Sequence, residues 1–159
     1  MIARPAGIAA AVAALLATAV PAAAQTVRLT KLSDVAFGSL SSTATATRSQ
    51  NVCAFATNAS GAYSVRASGS GTGGALTLAA GGATMAYEVQ WAGTPNQTTG
   101  TALPANTTVG GFNDGNVLEL CNLITTSSAS LIVILRSAAL AGATAGSYSG
   151  TLTLILGAQ

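Results

Sequence analysis

Histidine is absent from all 159 residues. Without an imidazole, neither a Ser-His-Asp nor a Cys-His catalytic arrangement can be assembled. Charge is scarce too: Asp, Glu, Lys and Arg make up 6% of the chain, against roughly 25% in ordinary soluble domains. The net charge of +2 comes with no basic stripe, so nucleic acid and an anionic membrane surface are not expected partners. The four acids (Asp34, Glu88, Asp114, Glu119) are scattered. Glycoside hydrolysis needs two facing carboxylates, and only a pair such as Glu88 and Glu119 could supply them. Their alternating surroundings read instead as solvent-facing strand positions. Aromatics amount to 4%. Trp91, Tyr87 and Phe112 could line a sugar-binding face, but aromatics on alternating strands are core residues far more often.

Cysteine is limited to Cys53 and Cys121. With no histidine and no CxxC, a zinc site is not expected, and in an oxidising compartment the two read as a disulfide. Phe112–Asn116 (FNDGN) offers oxygen ligands but lacks the spacing and terminal Glu of a calcium loop, so it reads as an Asx-rich turn. Gly69–Gly74 (GSGTGG) neither follows a strand nor opens a helix with Lys-Ser/Thr, so it is not a phosphate loop. No metal, cofactor or catalytic residue is expected, and the chain is not read as an enzyme.

What is present begins with an export signal. Met1–Ala24 has one charge, Arg4, then an apolar run from Gly7 to Val20, a break at Pro21, and small residues before Gln25. That is the pattern of a secretory signal peptide cleaved before Gln25. The run is shorter than the roughly 20 residues of a membrane span. The expectation is an exported protein without membrane insertion, with residues 25–159 forming one domain.

The remainder is a series of short alternating segments separated by Gly, Ser, Thr and Asn, which predicts an all-β sandwich. Strand candidates are Val27–Leu32, Val35–Leu40, Asn51–Ala56, Tyr63–Ala67, Ala75–Ala79, Met85–Trp91, Val117–Cys121, Leu131–Leu135 and Ser147–Leu156. Leu131–Leu135 (LIVIL) is apolar on both faces, as in a central, fully covered strand. Ser137–Ala145 could hold a helical turn. In the last segment Tyr148, Gly150, Leu152, Leu154 and Leu156 share one face, and Ser147, Ser149, Thr151 and Thr153 the other. No later residues could pair with its far edge. The expected fold is therefore an Ig-like β-sandwich that is incomplete, its missing strand supplied by a partner.

The order of pieces resembles the spore coat protein U domain, the subunit domain of archaic chaperone–usher pili. Those pieces are Phe37-Gly38, the Cys53 strand, Tyr63-x-Val65, a Gly-rich hairpin, Tyr87-x-Val89-x-Trp91, Cys121 and Ala145–Leu154 (AGSYSGTLTL). The resemblance spans residues 25–159. It implies a fold lacking its last strand, filled first by a periplasmic pilus chaperone. A neighbouring pilus subunit then takes over at an outer-membrane usher. It also implies a route through the periplasm of a Gram-negative bacterium to a surface pilus serving adhesion or biofilm formation. The acceptor groove would be walled by Tyr148, Leu152, Leu154 and Leu156. Val27 and Leu29 are the candidate donor strand, although the segment is short for a donor plus linker. Val27–Leu32 is either that donor or the domain's own first strand, in which case the subunit accepts without giving, as a tip would. The alternative function is a secreted, self-complete binding module such as a tip adhesin or carbohydrate binder.

Overall fold

The structure, a computed structural model, describes residues 24–117, 121 and 127–159. The signal-peptide reading of Met1–Ala24 (apart from Ala24), Glu119 and most of the Val117–Cys121 strand lie outside the described residues. Among them the chain is nearly all β, with antiparallel sheets enclosing one core.

The larger sheet is built on a long strand, β2 (Ala46–Ala56). On one side β2 pairs with β1 (Val27–Thr30), with Val27 opposite Ala56 and Leu29 opposite Ala54. The hairpin of β4 (Thr77–Ala80) and β5 (Ala83–Ala86) stands apart from the two main sheets. The facing sheet is centred on β3 (Tyr63–Gly69). After the hairpin the larger sheet continues with β6 (Glu88–Ala92) and the two-residue β7 (Thr101–Ala102). β8 (Thr108–Phe112) belongs to the facing sheet, and β9 (Ala129–Leu135) joins β2 to β6 in the larger one. β10 (Leu152–Ala158) pairs with β3 over all seven of its residues. The larger sheet therefore runs β1-β2-β9-β6-β7, and the facing sheet β10-β3-β8.

β9 is the central strand that LIVIL announces. All seven of its residues are buried, and neighbours flank it on both edges. Burying a Leu, Ile or Val fully contributes roughly 1.5–3 kcal/mol each, so this strand and its alternating neighbours dominate the core. Val52 and Ala54 of β2, Tyr63, Val65 and Ala67 of β3, and Val89 and Trp91 of β6 meet there at the pleat period of two. Short α1 (Ser137–Ala141) follows β9 and buries Leu140.

Several sequence expectations are displaced. The unbroken alternation Met85, Tyr87, Val89, Trp91 suggests one strand. The chain instead changes sheets at Tyr87, whose N–H donates to the Leu76 carbonyl while β5 pairs with β4 and β6 with β9. Val35–Leu40 belongs to no sheet. β7 and β8 appear where no strand is expected. In β8 the alternation breaks at a bulge: Tyr63 faces Phe112 but Val65 faces Val109. Gly111 has φ +86 there, a conformation that strains side chains with a Cβ.

Tyr63, Trp91 and Phe112 form the centre of the core. Tyr63 stacks on Phe112 at 5.5 Å between ring centroids, and Trp91 meets Tyr63 edge-on at 6.3 Å. The Trp91 Nε1–H donates to the Tyr63 hydroxyl at 3.0 Å, so the one polar atom of each side chain has a partner. Trp91, Tyr87 and Phe112 are all buried and offer no aromatic face to a sugar. Burial pushes the Tyr63 phenol up to about 12, against the partial opposition of the Trp91 hydrogen bond and with a small addition from Asp114. In the unfolded chain it ionises near 10. A raised folded pKa gives stability that is complete below about pH 10 and is lost as the pH climbs toward about 12. Alkaline titration is therefore expected to show Tyr63 ionising late, together with loss of circular dichroism. Tyrosinate absorbance that is complete near pH 10 with the fold intact would contradict this placement.

Candidate functional site

Cys53 and Cys121 form a disulfide across 68 residues, with Cα atoms 5.6 Å apart. Both are buried, packed with Phe55 on the side of β2 away from the main core. β2 alternation causes this separation: Val52, Ala54 and Ala56 point inward, and Cys53 and Phe55 outward. No helix among the described residues is long and apolar enough to cross a membrane. The disulfide fits an oxidising, extracytoplasmic compartment.

Among the described residues no group of acids and cysteines could hold a metal ion. The Glu88 carboxylate is held by Arg136, whose Nε and Nη2 donate to it at 3.0 and 2.6 Å. Those hydrogen bonds hold Glu88 below its usual range. A carboxylate kept charged on the surface is poorly suited to act as a general acid. An apolar cleft of about 180 Å³ lies between Leu76, Tyr87, Val89 and Leu103. It is smaller than the roughly 300–1,000 Å³ of small-molecule sites.

The distinctive surface is instead a pair of strand edges. β1 is the outer strand of the larger sheet and β10 the outer strand of the facing sheet, and the two approach within 8 Å at the Cα level. They share no ladder, and neither pairs with a second strand among the described residues. Hydrogen-bonded strands sit about 4.8 Å apart, so where the two come within 8 Å they are closer than two ladder spacings. Alternate N–H and C=O groups of β10 face away from β3.

The side chains bordering these edges are the ones marked by sequence. Leu152, Leu154 and Leu156 of β10 are half-buried against the core, as are Val27 and Leu29 of β1. Between the leucines, Thr153 and Ile155 face solvent, Ile155 at 53% exposure. Tyr148 lies before β10 rather than in it. It packs against the core while its hydroxyl donates to the Thr144 carbonyl. The strand starts at Leu152 because the preceding segment serves another partner: Ser149 bridges to Ala79 of β4. Val27 and Leu29 sit in β1, paired with β2, and Thr26 is tied to Thr57 through backbone and side chain. The C-terminal end of β10 is anchored as well. Asn58 donates to the Gln159 carbonyl, and Gln159 Oε1 accepts from the Gly111 N–H.

No family model matches the chain, and no curated protein matches it.

Proposed function

We propose that this protein is a structural subunit that accepts a β-strand from a partner beside β10. The observation that carries the reading is the two edge strands, β1 and β10, that share no ladder among the described residues, with a row of half-buried leucines of β10 against the core. An added strand gains backbone hydrogen bonds from the free edge and specificity from side chains set alternately into the groove. Left open, such an edge is a template for unwanted pairing. A weakly charged surface adds to that hazard in a free monomer and suits a subunit buried in a fibre. Together with the spore coat protein U-like order of its segments, this supports an incomplete Ig-like pilin domain. Its partners would be a periplasmic pilus chaperone, an outer-membrane usher and neighbouring subunits, and its destination a surface pilus serving adhesion or biofilm formation. With Val27 and Leu29 folded into β1, the subunit acts as an acceptor.

The test is size-exclusion chromatography and thermal unfolding of oxidised residues 25–159, alone and with the periplasmic pilus chaperone of the same cell. Expected is an aggregation-prone or loosely folded chain that becomes a sharp 1:1 complex with a higher Tm. One observation favours a second reading, the self-complete binding module: the edges are already closer than two ladder spacings. A cooperative monomer indifferent to the chaperone would establish that one instead.

Leu154→Arg puts a guanidinium into the groove and is expected to abolish the chaperone complex. Ile155→Arg, on the solvent side of the same strand, is expected to retain it. Normal secretion and assembly of the Leu154→Arg protein would remove Leu154 from the acceptor wall.

A further inference from the structure

Residues 31–45, between β1 and β2, form a strap that belongs to no sheet. Its first part is nonetheless strand-like. Val35 and Phe37 are half-buried against the core, while Asp34 and Ala36 are exposed. Two residues of β2 hold it. Gln50 accepts from the Ser33 N–H and hydroxyl and donates to the Ser33 carbonyl. The Arg48 guanidinium lies 5.7 Å from the centre of the Phe37 ring.

The β2 pleat locates the strap. Val52, Ala54 and Ala56 point into the core, so Gln50 and Arg48, two and four residues before Val52, project to the same side. Their contacts therefore place Ser33 and Phe37 over the core-facing side of β2. That is the layer of the facing sheet, whose near edge is β10. Val35 and Phe37 thus pack against the same core cluster as Leu152, Leu154 and Leu156 of β10, with alternating burial but no ladder to β10.

We infer that residues 33–37 are a placeholder: they shield the apolar wall beside β10 and are displaced when a donor strand arrives. The inference rests on the strand-acceptor reading above. Gln50 and Arg48 form the latch. Its three hydrogen bonds and one cation–ring contact are exposed and individually weak, which suits a contact meant to open. Val35 and Phe37 keep water off the wall meanwhile, without offering a ladder that a donor would have to break.

The test appends a seven-residue alternating Thr-Val strand after Gln159 through a two-residue Asn-Gly turn, which returns the chain antiparallel along β10. Tm and hydrogen exchange are then compared with the parent chain. A higher Tm is expected, with the amides of residues 33–37 exchanging about tenfold faster. A higher Tm with unchanged exchange in the strap would overturn the placeholder and leave the acceptor edge standing. An unchanged Tm would remove the acceptor edge, and the placeholder with it. Gln50→Ala gives a second arm. If strap and donor compete, weakening the latch enlarges the rise in Tm on appending the strand; a smaller rise means that the strap supports the donor and overturns the inference.

Discussion

Replacing Cys53 and Cys121 together with alanine is expected to lower the unfolding free energy by roughly 4 kcal/mol, a large share of what a domain of this size possesses. The bridge spans 68 residues and so removes much of the freedom of the unfolded chain. The cost does not come from the principal core. Cys53 and Cys121 pack in a separate small cluster with Phe55, so the sandwich interior keeps its contacts in the variant. Guanidinium unfolding of the oxidised and the double-alanine proteins at one pH checks this. Because the effect acts on the unfolded chain, the variant is expected to have a lower midpoint and a larger m-value. A loss below about 1 kcal/mol would mean that unfolded-state structure or native strain cancels the crosslink.

Trp91→Ala is expected to destabilise by about 3–5 kcal/mol, the range for truncating a large buried aromatic. Trp91 is fully buried, touches both Tyr63 and Phe112, and donates its indole N–H to Tyr63. Truncation leaves a cavity between the sheets and a buried hydroxyl without its donor. The two causes can be separated. Trp91→Phe retains most of the ring volume, and its cost should approach the roughly 1–3 kcal/mol of an orphaned buried polar group. Tyr63→Phe orphans the indole N–H and should cost a similar amount. The double variant removes both polar atoms and is expected to be no less stable than either single one. A double variant whose loss equals the sum of the two would show that the 3.0 Å hydrogen bond adds nothing to the fold.

The strands legible in the sequence were those whose local pattern and long-range role agree. β9 is apolar on both faces because both are covered, all seven of its residues being buried, and β10 alternates because one face is buried. β8 was hidden by Gly110 and Gly111: the bulge interrupts the period that a strand is recognised by. β5 and β6 merged for the opposite reason, since the alternation continues while the hydrogen-bonding partner changes at Tyr87. Val35 and Phe37 alternate in burial as a strand does, yet no strand is there. Side-chain periodicity reports the core, not the backbone partner. The same limit governs the candidate site. Leu152, Leu154 and Leu156 could be placed on an inward face from spacing alone. That Val27 and Leu29 pair with β2, some 25 residues away, is a long-range contact that no local signal encodes.

The seven-rung register of β10 on β3 also has a mechanical consequence. A pull along β10 loads that ladder in shear, so its rungs resist together, whereas the four-residue β1 offers a much shorter grip. Should β10 give way, the Cys53–Cys121 crosslink withholds the 68-residue loop from extension. At about 3.4 Å per residue, that is about 230 Å of contour length that stays hidden under tension until the sulfur–sulfur bond itself is reduced.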